Sequence, residues 1–277
     1  MKYINKFLHT NVIIKGFLVK ILKILNINTN NLSRKFCNFN FFINEKNIVF
    51  NEHLKINKKL EKTANIANKI SLCGPVRILN LLKILQYLKN KKIRGDIVEA
   101  GVFKGGNLII LNKFISIEKL KKKIYAFDTF EGMTKPTKDD KDLFNKYAKF
   151  YLKEENKDIY SENIHCFSNL EETKLNILRT TKNLNNFKFI KGDVTKTLEI
   201  KKNIPSKISL LILDVDFYKP TKKLLEVLYP KLEKNGVLII DDYGHWQGCK
   251  KACDEYFKNK NVMMFVIDYT ARCIIKN

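Results

Sequence analysis

Two short acidic motifs carry the most chemistry in this sequence. Asp214-Val215-Asp216 follows the apolar run SLLIL (209–213), and Asp241-Asp242 follows VLII (237–240). If the two runs are neighbouring parallel strands, their ends bring four carboxylates together. Groups packed this way raise one another's pKa unless a cation compensates them. A hard divalent ion with oxygen ligands, Mg²⁺ first among them, meets that need; the alternative is a set of solvated loop acids.

A second constellation starts at Glu99, where DIVEA (96–100) runs into Gly101-Val102-Phe103-Lys104-Gly105-Gly106 ahead of a helical pattern from Asn107. Glycines here let the backbone approach a ligand closely, and a helix N-terminus favours a carboxylate or phosphate. The spacing departs from GxGxxG and is weak by itself. Asp128 then ends the next apolar run, where a carboxylate accepts from the two hydroxyls of a ribose. Asp193 follows the third run in the triplet GDV. Each of these acids could instead cap a helix, Asp being a preferred N-cap. His245, in DDYGHWQG, is a second candidate base or a substrate contact, set against a hydrogen-bonded residue of no catalytic use; Trp246 either stacks on a sugar face or belongs to the core.

The elements that must hold these residues are legible as rhythm. Apolar runs at 96–100, 123–127, 187–190, 209–213, 237–240, 263–267 and 272–275 alternate with helical segments. Central runs without polar alternation predict strands buried on both faces, hence a parallel sheet flanked by helices. The fold class is therefore α/β: a Rossmann-like, doubly wound, mostly parallel seven-stranded sheet. Only residues 268–271 separate the last two runs, which predicts an antiparallel final strand. Residues 58–91 repeat apolar positions at helical spacing, with Pro75 marking a helix start. The stretch 132–186 is too long for a simple crossover and is expected to be a lid-like insertion. The expected division is an N-terminal segment, 1–57, ahead of a catalytic domain, 58–277.

At 277 residues and 45% hydrophobic content the chain holds one sizeable core. Its net charge of +24 raises nucleic acid as a partner, yet the lysines are spread along the chain with abundant Asn and Ile, and no base-stacking platform or groove-reading helix accompanies them. No nucleic-acid partner is expected. Six cysteines form no CxxC pair, and the spacing of Cys249 and Cys253 lacks the other half of a zinc site; they read as reduced thiols. No run is long and uncharged enough to span a bilayer. Residues 12–25 (VIIKGFLVKILKIL) form a basic amphipathic pattern that either packs on protein or lies on a membrane surface.

DIVEAGVFKGG, IYAFDTFEGM, FIKGDVTKTL, LLILDVDFYKPTKKLLEVLYPKLEKNGVLIIDDYG, GCKKACDEY and IDYTARCIIK, in that order, resemble the macrocin O-methyltransferase family, whose members methylate sugar hydroxyls in macrolide and aminocoumarin biosynthesis. The resemblance runs from Ser71 to Lys276 and departs from the family at the GDV triplet and at Asn235-Gly236. It implies S-adenosylmethionine as methyl donor, a small-molecule or glycan hydroxyl as acceptor, and a homo-oligomer; the reduced thiols lead to the expectation of a cytoplasmic protein, and residues 12–25 offer peripheral contact with the inner membrane surface as an alternative. The resemblance also implies that Asp214, Asp241 and Asp242 ligate Mg²⁺ and that Asp216 is the general base, ahead of His245. Glu99, Gly101 and Gly105 would lie along the methionine portion of the donor, Asp128 at the ribose and Asp193 near the adenine. A catechol-like acceptor would serve the same metal. A non-catalytic cofactor-binding or membrane-surface module is the reading from another class, and it leaves a metal-activated base without use.

Overall fold

The apolar runs pair into one seven-stranded sheet in the computed structural model, which describes residues 43–44, 47–48, 56–152 and 166–277. Its strands are β1 (Asp96–Ala100), β2 (Ile124–Asp128), β3 (Phe187–Lys191), β4 (Ile208–Leu213), β5 (Leu232–Ile240), β6 (Met264–Val266) and β7 (Arg272–Ile275), in the order β3-β2-β1-β4-β5-β7-β6. β1 to β5 are parallel, and β7 lies antiparallel to both β5 and β6. Strand order reverses between β1 and β4, so a crevice opens at their carboxyl ends. A two-residue antiparallel ladder, Ile43–Asn44 with Asn47–Ile48, stands apart from this sheet. The amphipathic pattern at 12–25 lies outside the described residues.

Period-two alternation sends successive strand residues to opposite layers. Ile97, Ile124, Leu210, Ile212 and Val237 face one core, Val98, Phe127, Leu211, Leu213 and Leu238 the other, and all are essentially buried. The first core is covered by α1 (Lys58–Asn68), α2 (Pro75–Asn90) and α3 (Gly106–Ile117). After the four-residue α4 (Ala148–Tyr151), α5 (Leu170–Thr181) joins that layer through Ile177, and beyond the four-residue α6 (Val194–Thr197) the opposite layer is built by α7 (Tyr218–Leu228) and α8 (Gln247–Phe257). Each fully buried leucine such as Leu224 or Leu225 contributes about 2 kcal/mol of transfer free energy.

Some boundaries differ from the sequence expectation. β5 starts at Leu232 because Glu233, Lys234 and Asn235 prolong it outside the core, through Asn235 at φ +62°. β6 is an edge strand with Met263 and Val266 about 70% exposed, so its apolar run marks an open rim and not the core. Within 132–186, α5 is the ordinary crossover helix into β3, Asn169 capping it by accepting the Glu172 N–H at 2.8 Å; residues 153–165 lie outside the described ones.

Candidate active site

The carboxyl ends of β1, β4 and β5 are locked together by backbone. Gly101, at φ +84°, lies so close to the next strand that a Cβ would stand 1.6 Å from the Asp214 carbonyl oxygen. Asp214 N–H donates to Ala100 O at 2.8 Å, and Asp241 N–H to Leu213 O at 2.9 Å. The approach that demands glycine at Gly101 is therefore to the chain itself. Gly105, also at φ +84°, begins α3 in a left-handed turn beside Thr173.

These strands deliver the four acids to one place. Burial raises the pKa of Asp214, Asp216, Asp241 and Asp242; repulsion from neighbouring acids of the cluster comes next at Asp214 and Asp242, whereas at Asp241 the Arg77 guanidinium opposes the rise and Asp268 adds to it. Asp216 is raised to about 6 and holds φ +55°, a left-handed conformation that Asp tolerates better than most residues. Its N–H donates to Asp242 Oδ2 at 3.1 Å. Hydrogen bonds from the Asp242 and Trp246 side chains hold the Asp216 pKa below what burial alone would impose.

One cation already faces this cluster. Arg77, in the first turn of α2, donates to Asp241 Oδ2 and, through Nε at 2.8 Å, to Asp268 in the β6–β7 turn. Cys73 stands beside it: one donor atom from each of Cys73, Asp214 and Asp241 lies within 4.8 Å of the others. Burial, then Asp241 and Asp214, pushes the Cys73 thiol well up. Burial, and next the charges of Asp216, Asp214 and Asp242, push up the thiol of Cys166, where the chain returns from the insertion. Among the described residues a single guanidinium faces four buried or half-buried carboxylates, which leaves excess negative charge, and oxygen donors of this kind fit a hard divalent cation.

Glu99 lies at the β1 end of the group, 2% exposed. Asn107 donates to its Oε1 at 2.8 Å, while Oε2 is buried without a partner. Burial raises its pKa to about 8 against the lowering effect of Asn107, with Asp241 and Asp128 adding to the rise. Asp128 Oδ2 accepts the N–H groups of Val102 (2.7 Å) and Phe103 (3.1 Å), and Oδ1 accepts Phe130 N–H (2.7 Å), with the Thr129 hydroxyl oxygen 3.4 Å away. Three acceptor directions of that carboxylate are thus spent on backbone N–H groups of the loops around it, since the single Thr129 hydroxyl proton is given to the Gly132 carbonyl at 2.5 Å. Asp193 is the N-cap of α6, its Oδ1 accepting the N–H and the hydroxyl of Thr195 at 2.8 Å.

His245 meets Trp246 and Tyr269 edge-on, with Nδ1 buried and unpartnered, and burial lowers its pKa. It is therefore neutral near pH 7. Trp246 is 3% exposed and wedged edge-on against Tyr151 and Phe217, so its ring offers no face to a sugar. Arg77, Asp268, Cys73, Cys166 and Asn107 were not singled out from the sequence. Arg77 did leave a signal, being one of five arginines among 52 basic residues in a chain that otherwise chooses lysine.

Residues 28–275 match the family described as Macrocin-O-methyltransferase (TylF), so the match begins well before Ser71. Demethyldecarbamoylnovobiocin O-methyltransferase of Streptomyces niveus is 25% identical over 191 residues, 69% of this chain and 68% of that one. An 8-demethyl-8-(2,3-dimethoxy-alpha-L-rhamnosyl)-tetracenomycin-C 4'-O-methyltransferase of Streptomyces olivaceus is 26% identical over 188 residues, 67% of each chain. Among solved structures, the O-methyltransferase NovP superposes with a TM-score of 0.65 at 24% identity, over 75% of this chain and 82% of that one, and shares the fold.

Proposed function

This chain belongs to the macrocin O-methyltransferase family and is an O-methyltransferase, and from that premise we propose that it moves a methyl group from S-adenosylmethionine to a hydroxyl of a sugar or related small-molecule acceptor, with Asp216 as base. The observation that carries the reading is the Asp214–Asp216–Asp241–Asp242 cluster at the sheet's switch point, with Asp216 raised to about 6. A sugar is favoured over a catechol because one of the relatives is named for a rhamnosyl acceptor.

Asp214, Asp241 and Asp242 would hold Mg²⁺, which when bound supplies Lewis acidity that lowers the pKa of the acceptor hydroxyl. Asp216 takes the hydroxyl proton while the acceptor oxygen bonds to the sulfonium methyl and the methyl–sulfur bond breaks. A carboxylate poised near 6 is a stronger base than an ordinary aspartate and is still ionised at pH 7. Asp242 positions Asp216 through its N–H, and Arg77 fixes Asp241. Glu99 faces the methionine end of the donor site, where a cationic amino group would draw off its proton. Asp128 shapes the loop 101–105; one ribose hydroxyl would take its remaining acceptor direction, and the second would have to displace one of its N–H bonds. Asp193 would lie near the adenine, and His245 would serve as a neutral neighbour of the acceptor. The catalytic unit is 58–277, and the exposed β6 rim, with Phe265 and Val266 in solvent, supports a homo-oligomer.

Calorimetric titration of S-adenosylmethionine and S-adenosylhomocysteine, with Mg²⁺ and with chelator, tests this reading. Micromolar binding of both is expected, with methyl transfer to glycoside acceptors only when the divalent ion is present. Absence of binding under every condition overturns it.

A further inference from the structure

Two residues beyond Asp216, the chain enters the wall of an open cleft of about 460 Å³. Lys135, Thr137 and Lys138 form one side, Tyr218 and Lys219 the other. Both walls are anchored on Asp140, which is completely buried. Its Oδ2 accepts the Thr137 N–H and hydroxyl at 2.5 and 2.8 Å, and its Oδ1 accepts the Tyr218 N–H at 2.7 Å. The cleft is thus a fixed shape and not a chance gap between loops.

Its charge is uncompensated. The acid on its rim, Asp139, is already paired with Lys251 at 2.9 Å, and Tyr218 hydroxyl donates to Glu255 at 2.7 Å. Lys135, Lys138 and Lys219 make no hydrogen bond or ion pair among the described residues. Surface lysines abound in this chain, but these three line one concavity whose wall begins two residues beyond the base. Three lysines around one concavity suit a ligand with several anionic oxygens, and phosphate is the group that presents them most densely.

We propose that this cleft binds the phosphate of a phosphorylated sugar acceptor, as a glycosyl phosphate or a nucleoside diphosphate sugar, and so presents the sugar hydroxyl to Asp216. The proposal rests on the acceptor reading above. It makes the lysines specificity determinants that touch the substrate away from the reacting atoms.

The test is calorimetry on the full chain with inorganic pyrophosphate, glucose 1-phosphate, UDP-glucose and, as neutral control, methyl α-D-glucoside. Wild type is compared with K135Q/K138Q/K219Q and with K121Q/K201Q/K202Q, exposed lysines at the opposite end of the sheet. Loss of an exposed ion pair weakens binding by about fivefold at most, so the cleft triple should lose roughly 100-fold and the distal triple nothing. Glucose 1-phosphate binding as tightly as UDP-glucose assigns the site to a glycosyl phosphate, and tighter UDP-glucose assigns it to a nucleotide sugar. Binding of none of the phosphates, or equal loss in both triples, overturns the proposal. S-adenosylmethionine titrated into the same samples separates the two failures: donor binding without phosphate binding removes this inference alone, whereas phosphate binding without donor binding removes the methyltransferase reading on which it rests.

Discussion

Replacing Glu99 by glutamine separates what the site needs in order to fold from what it needs to hold its donor. The folded chain keeps Glu99 protonated up to about pH 8, against 4.5 for an ordinary glutamate. A raised folded-state pKa contributes stability that is complete below the unfolded value and lost as pH rises through the folded one. At pH 7 the 2.5 units above 4.5, at about 1.4 kcal/mol each, amount to a loss of about 3 kcal/mol. Glu99→Gln preserves the shape and the Asn107 bond to Oε1 and has no proton to lose. The free variant should therefore be the more stable at pH 7, by up to about 3 kcal/mol or roughly 6–12 °C in Tm. The difference should vanish near pH 4.5. Thermal and guanidinium unfolding from pH 4.5 to 9 reads this directly. The same change removes the negative charge offered to the donor, so S-adenosylmethionine should bind about 10- to 100-fold more weakly. A variant no more stable than wild type at pH 7, or a difference flat across that pH range, refutes the burial argument.

Three further outcomes are expected. Arg77→Met strips Asp241 and Asp268 of their cation and should cost about 3–5 kcal/mol by chemical denaturation, because an uncompensated carboxylate stays buried; unchanged stability would show that the Asp241 charge is balanced elsewhere. Turnover should fall as pH drops below about 6, where Asp216 gains a proton, and Asp216→Asn should lose about 100-fold or more; an acid limb that survives in Asp216→Asn assigns the base to another group. Gly101→Ala drives a Cβ into the Asp214 carbonyl oxygen and should cost more than about 3 kcal/mol, seen as lost soluble yield and a lowered Tm; a normal Tm would mean that the β1–β4 seam can open.

The sheet was readable because buried parallel strands carry no polar alternation: DIVEA and RCII coincide with β1 and β7. The start of β5 was not, since Glu233 to Asn235 lie outside the core, where the pairing with β4 shifts register between Ile208–Leu232 and Leu210–Val237. The acids were found from their positions at strand ends, which is a statement about topology. What they bind to was hidden. Asp128 accepts three local N–H groups and Asp193 Oδ1 the N–H and hydroxyl of Thr195, and a carboxylate that caps a loop has the same sequence signature as one that awaits a ligand. Arg77 escaped notice because its partners, Asp241 and Asp268, lie far along the chain, and one-dimensional spacing carries no trace of such a pair.

The position of Arg77 also bears on how much of this chain can fold by itself. Helix α2 precedes every strand of the sheet, yet it supplies the guanidinium that faces the acids. A chain shortened to begin at Asp96 would keep all seven strands and every carboxylate of the Asp214–Asp216–Asp241–Asp242 cluster and lose that charge, so its folding would shift toward acid, where the carboxylates neutralise themselves. The minimal autonomous unit is thus larger than the sheet, and trimming guided by strand boundaries would cut through its electrostatics.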